Sequence, residues 1–340
     1  MALPDWFTEA KPTYFAETQT RIPKLHRIQP EYPPLVPWPR LWPLLQRVLG
    51  ADVPGTKPDL NKLVKQVSQG EQIYRIPKTT RYTWSPIARL LIDINDSNFP
   101  YRQDFIRLEQ QLTAWRGAEG LEIHYIYDEP GGTIARYDSG HENLEPWRSP
   151  AQDTPLLIVS DLGMHSQSRR SLYQWLVFGQ KLNLQGLRAT VLMPVAERQL
   201  DKRLLRYFNC IIWDDNSRLK PIQSDEQPEQ NPTDHSIGVE HLLALLFPAL
   251  RVELGLLRSI RQLLPARLYD VGHEVDVWSH AAVNRAGDEW GWQPGSREQY
   301  RQDFVKQFEK LTIHNQQQLI EQLGRYHARL PDELYFEAMY

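Results

Sequence analysis

The sequence predicts an α/β fold: a mainly parallel, doubly wound sheet, a C-terminal α-helical domain after it and a Pro-rich N-terminal arm before it. Three observations predict this. Short, nearly all-apolar runs, "ARLLIDIN" and "TPLLIVSDLG", read as central strands covered on both faces. Segments of helical period, "YRQDFIRLEQQLTAW" and "SRRSLYQWLVFGQKLNLQ", alternate with such runs, which implies parallel strands joined by crossover helices. From about residue 237 the helical period takes over.

Residues 1–75 read as the arm with short helices. Prolines crowd its first part, ending in "PEYPPLVPWPR"; each fixes φ and removes a donor, so the chain is extended there rather than a sheet strand. "LWPLLQRVLG" is a helix stopped by Gly50, and "DLNKLVKQVSQG" a second stopped by Gly70. Residues 76–215 form the sheet domain. After "ARLLIDIN" comes a helix with Phe105, Leu108, Leu112 and Trp115 on one face. "LEIHYIYDEP" alternates as a strand, Gly131-Gly132 turns the chain, and "TIARYD" runs back as a hairpin. "RATVLMPVA" and "FNCIIWD" are two more short strands, with "ERQLDKRLLR" helical between them. Residues 216–236, rich in Pro, Gln, Asn and Asp, are a polar linker. Residues 237–340 read as helices throughout, from "GVEHLLALLFPALRVELGLLRSIRQLL" to "HNQQQLIEQLGRYHARL".

The 340 residues are 41% hydrophobic and 24% charged, enough to bury a core, and the net charge is −3. An overall basic footprint for nucleic acid is absent. The single cysteine, Cys210, lies in the apolar run "FNCIIW", which excludes an internal disulfide and fits a reducing compartment. The N-terminus has no basic stretch followed by an apolar run, and the longest apolar stretch falls short of the ~20 residues of a membrane span. The expected location is the cytoplasm.

Ligands of open α/β sheets bind beyond the carboxyl ends of the strands. Two strands end in acids there, "LLIDINDS" and "LLIVSDLG". If they are neighbours, Asp93 and Asp161 face one crevice, with Asn95, Ser97 and Ser160 adding neutral oxygens. Hard oxygens with few charges suit Mg²⁺. The alternative is an acidic strand-end turn in which Asp93 and Ser97 cap the helical region that follows.

Asp93-x-Asn95-x-Ser97 after a buried strand resembles the D-x-S-x-S metal motif of von Willebrand factor A domains, and Ser160-Asp161 resembles that fold's second acidic ligand. The resemblance implies a metal-ion-dependent adhesion site on Asp93, Asn95, Ser97 and Asp161. Asn95 stands where the family has its first serine, and "SGHENLEPWRSP" offers no threonine for the third ligand, so the motif is degenerate. Longer stretches, among them "VSQGEQIYRIPKTTRYTWSPIARLLIDIND" and "ALRVELGLLRSIRQL", resemble the N-terminal part of bacterial proteins that often carry a formylglycine-generating-enzyme-like module. Those proteins are linked with MoxR-type AAA+ ATPases in proposed conflict or defence systems. The resemblance implies a non-enzymatic adaptor whose partner is such an ATPase or such a module. A PIN-like metal-dependent nuclease using Asp93, Asp104 and Asp161 is the rival reading, since several acids (Asp96 and Asp128 too) stand near strand ends.

Other residues are read more simply. His273, Asp276 and His280 share a helical face and read as a hydrogen-bonding set rather than a zinc site. Trp278 is expected as a core or interface anchor, and Arg251, Arg258 and Arg261 as a solvated helix face.

Overall fold

A computed structural model describes residues 32–117, 120–138, 141–166, 168–223, 232–265, 268–286 and 289–327. The first 31 residues of the expected arm lie outside these. So do 224–231 of the expected linker.

The elements run α1 (Trp38–Val48), β1 (Gly50–Pro58), α2 (Leu60–Ser68), β2 (Lys78–Trp84), β3 (Ala88–Asp93), α3 (Arg102–Arg116), β4 (Leu121–Ile126), β5 (Thr133–Asp138), β6 (His141–Pro146), β7 (Leu156–Val159), α4 (Arg169–Leu184), β8 (Thr190–Met193) and β9 (Asn209–Ile212). They continue as α5 (Pro232–Leu246), β10 (Arg251–Glu253), α6 (Leu254–Leu263), α7 (Gly272–Trp278), β11 (Val283–Ala286), β12 (Glu289–Trp292), α8 (Arg301–Lys310) and α9 (Ile313–His327). Among the described residues no helix is long and apolar enough to cross a membrane.

Seven strands form the central sheet in the order β6-β5-β4-β3-β7-β8-β9. β4, β3, β7, β8 and β9 are parallel; β5 runs antiparallel to β4, and β6 to β5. The apolar run of β3 is explained by its central place, since alternate residues feed different cores. Leu90 and Ile92 join Leu157, Val159, Leu192 and Ile211 beneath Leu41, Leu45, Phe105 and Leu108 of α1 and α3. Leu91 joins Ile158, Val191 and Met193 beneath Trp175, Phe178 and Leu182 of α4. Each buried side chain of this size contributes about 1.5–3 kcal/mol, so a sheet covered on both faces tolerates almost no polar position.

The chain divides into two compact units whose bounds differ from the expected 1–75, 76–215, 216–236 and 237–340. Of the described residues, one comprises those within 34–240 and 264–280; the other comprises 32–33 and those within 241–263 and 281–327. α1 and α7 belong with the sheet because Leu41, Leu44, Leu45, Val271 and Val275 sit in its core. The segment Arg251–Glu253 and the pair β11–β12 form a three-stranded antiparallel sheet, order β10-β12-β11, where helix alone was expected. These strands are three or four residues long, too short to show a period of two. β6, also unexpected, is a polar edge strand whose Leu144 is 67% exposed. "ERQLDKRLLR" forms two 3-10 turns, Glu197–Gln199 and Leu204–Arg206, rather than a helix. Asp201 accepts from the Arg203 N–H at 2.9 Å, a local bond that competes with the helical ladder.

Candidate functional site

β3 and β7 pair in parallel with Ile92 opposite Val159, so their carboxyl ends lie side by side. Asp93 closes β3, and Ser160 and Asp161 follow β7. Asp93 is 1% exposed, and Ser160 and Asp161 are fully buried. Ser160 Oγ donates to Asp93 Oδ2 at 2.5 Å and accepts from the Leu162 N–H at 2.8 Å. Asp93 Oδ1 accepts from Asn95 twice, from its N–H at 3.2 Å and from Nδ2 at 2.7 Å. Asp161 Oδ1 accepts from the Gly163 N–H and Oδ2 from the His165 N–H, both at 2.9 Å.

The loop after β7 is wound to deliver those N–H groups. Leu162 has φ 53° and Gly163 φ 75°. A leucine in this left-handed region costs roughly 1–3 kcal/mol. At Gly163 a Cβ would lie 2.6 Å from Ser171 Oγ, so only glycine fits.

Burial, the largest cause, and then repulsion from Asp161 push the Asp93 carboxyl up to about 7. The hydrogen bonds from Ser160 and Asn95 pull it down without cancelling the rise.

No family model, curated protein or solved structure matches this chain.

The structure bonds Asn95 to Asp93 and sets Asp161 after the neighbouring strand. Ser97 is half-buried in the 3-10 turn Asp96–Tyr101, and among the described residues it bonds to neither carboxylate. Nor does Ser97 cap that turn, whose cap residue is Asn95 with no side-chain bond to the turn. Asp93 holds the chain one step earlier, through the Asn95 N–H. The residue that sequence reasoning missed is Asn98. It is 1% exposed, and its Oδ1 accepts the Asp161 N–H at 2.9 Å. Its only signal was one more polar residue in the run "NDSN".

The remaining acids are placed otherwise. Asp104 is buried in the first turn of α3 and accepts the Leu35 N–H at 3.0 Å. Asp96 and Asp128 are exposed, and Asp128 lends only its carbonyl, to Asn95 Nδ2 at 3.3 Å. Beyond β9, buried Asp214 accepts the Val271 N–H at 3.0 Å. Three strand-end acids are thus committed to backbone N–H groups, which makes them splints of the loops at this edge. Among the described residues no three His, Cys, Asp or Glu side chains gather as a metal site.

Mg²⁺ would find the oxygen chemistry it needs here. Yet every carboxylate oxygen of Asp93 and Asp161 already accepts a hydrogen bond. The buried Asn98 Nδ2, without a partner among the described residues, is a donor and offers a cation nothing.

Around α7, His273 Nδ1 lies 3.0 Å from Asp270, which also pairs with Arg198. Gln199 Nε2 donates to Asp276 at 3.4 Å, and His280 Nε2 lies 3.3 Å from Glu240. Each of the three side chains of the expected set has a separate partner. Trp278 is 4% exposed and stacks on Phe99, ring centres 5.7 Å apart. The expected solvated arginine face is overturned: Arg258 and Arg261 are buried, because α6 is covered on nearly every side. Arg258 lies over the Tyr32 ring at 4.9 Å and donates to the Pro33 carbonyl at 3.2 Å. Arg251 alone is exposed, on β10.

Proposed function

We propose that this chain is a non-enzymatic protein-interaction subunit of von Willebrand factor A-like fold, with a degenerate metal-ion-dependent adhesion site, in the cytoplasm of a bacterial conflict or defence system. The fold reading is supported by five parallel strands, the antiparallel hairpin β5–β6 beyond β4, and the acid pair at the carboxyl edge between β3 and β7.

The observation that carries interaction over catalysis is the face of α2. Leu60, Val64 and Val67 are 66%, 66% and 62% exposed, and no residue of α2 is buried. An apolar stripe left in water marks an interaction surface. Lys57, Lys62, Lys65, Arg75 and Lys78, on this helix and the segments flanking it in the chain, are exposed and suit an acidic partner. The partners proposed are a MoxR-type AAA+ ATPase or a formylglycine-generating-enzyme-like protein. The nuclease alternative has less support, because Asp104 holds the Leu35 amide and the acids do not converge in threes among the described residues.

Sedimentation of the chain with each purified candidate tests this reading. A complex with either one that Val64→Glu abolishes is expected, with folding unchanged. Failure of both to bind, or binding indifferent to Val64→Glu, would refute it. Residual metal affinity, if the edge retains any, rests on Asp93, Asn95, Ser97 and Asp161. A cation must displace donors that already satisfy the carboxylates, so calorimetry with Mg²⁺ or Mn²⁺ is expected to show binding weaker than micromolar. Micromolar binding lost in Asp93→Ala would overturn that expectation.

A further inference from the structure

A second polar site lies on the same sheet, near the start of β3 and away from the acid pair. β4 and β5 are joined at a single position, Tyr125 opposite Ala135, whereas β5 and β6 pair along their length. Beside that sparse junction is a pocket of about 140 Å³. At about 30 Å³ per water, it has room for an oxyanion and some solvent. Arg89 from β3, Glu122 and His124 from β4, Arg136 from β5, Glu145 from β6 and Arg148 beyond it line the pocket.

The charges do not close on themselves. Arg89 is spent on Glu122, through two bonds of 2.9 and 2.6 Å. Arg136 and Arg148 are exposed, and neither guanidinium has an ion-pair partner among the described residues. His124 is 4% exposed; its Nε2 lies 3.9 Å from Glu145, beyond hydrogen-bond reach, and its Nδ1 has no partner. A buried ring nitrogen left without a partner is destabilising. With a neutral imidazole, three arginines against two glutamates leave the pocket one positive charge in excess.

We infer that this pocket binds an oxyanion, a carboxylate or a phosphate group, held by the guanidinium groups of Arg136 and Arg148, with the His124 imidazole in the wall beside it. The acid source is a side chain of a bound protein; the phosphate source is a phosphorylated residue or a free phosphate. Arg148 and Arg136 supply forked donors that match either group. Burial, Arg89 and Arg136 hold His124 below its usual range, while Glu122 and Glu145 oppose them. Arg148 also faces the pocket. An anion in the pocket beside the imidazole favours the doubly protonated ring, so linkage requires affinity to rise as pH falls.

The test uses the full chain with ¹³C-labelled histidine, the His124 resonance being assigned with His124→Gln. Inorganic phosphate and acetate are titrated in separate arms, against a chloride background. Saturation by both supports a general oxyanion site, and saturation by one alone names the source. For the group that binds, the Arg136→Gln/Arg148→Gln double variant is expected to weaken affinity about tenfold or more, equivalent to one pKa unit of interaction. Both arginines are exposed and have no ion-pair partner among the described residues, so a thermal melt should be unchanged. Acetate, if it binds, should bind about threefold or more tightly near pH 6 than near pH 7.5. A His124 signal that never saturates, or equal affinity in the double variant, would overturn the assignment.

Discussion

Asp93 shows how one buried carboxyl governs the chemistry of its edge. Its pKa is held near 7, far above the ordinary carboxylate range, mainly by burial. The folded state therefore keeps a proton that the unfolded chain has released, over the window from about 4 to about 7. Where the native state binds more protons, stability falls as pH rises. Urea unfolding in metal-free buffer should accordingly show stability present below pH ~4 and lost progressively toward pH ~7. Asp93→Asn keeps an acceptor for the Asn95 N–H and carries no charge. It should flatten that slope and be more stable than the parent at neutral pH. An unchanged slope in the variant would show that another group titrates. The sequence displayed Asp93 and Asp161 as strand-end acids. It did not display Asn98 as the clamp on the Asp161 amide, because an asparagine in a polar turn has no pattern that distinguishes a buried bond from a solvated one.

Elements are shaped by a few positions where only one residue fits. Gly131 turns the chain between β4 and β5 with φ 78°, and a Cβ there would lie 2.7 Å from the Phe178 ring. Gly131→Ala combines left-handed strain with a clash against a buried aromatic. It should cost about 1–3 kcal/mol or more, read as a lowered denaturation midpoint. α2 behaves in the opposite way. Asp59 caps it by accepting the Lys62 N–H at 3.1 Å, and its apolar side chains touch no core. Val64→Glu should therefore shift stability by no more than about 0.5 kcal/mol while removing partner binding. A large loss of stability would mean that the stripe is covered within the chain. The helical period of α2 was legible in "DLNKLVKQVSQG". Its placement between two paired strands was not, since β1 and β2 meet only through contacts distant in sequence.

The sheet unit as a whole is reported by its lone thiol. Cys210 is fully buried on β9, and burial pushes its thiol up to about 12. Only the thiolate reacts, so native Cys210 should resist a thiol reagent at mildly alkaline pH until the sheet opens. Its labelling rate should rise with denaturant in step with unfolding; rapid labelling in native buffer would show local opening at β9. At this scale the sequence by itself determined the interior of the sheet. β3, β7, β8 and β9 are covered on both faces, and only short, continuous apolar runs meet that demand. It also determined the crossover helices α3 and α4, whose buried faces repeat every turn. The tertiary structure alone decided where the domains divide. It gave α7 to the sheet through Val271 and Val275, and it paired the short strands β10, β11 and β12, which carry too few residues to show a period. It alone decided the fate of the strand-end acids as well. Whether a carboxylate meets a cation, solvent or a backbone N–H depends on the winding of loops such as 161–165. That winding is fixed by packing against residues far along the chain.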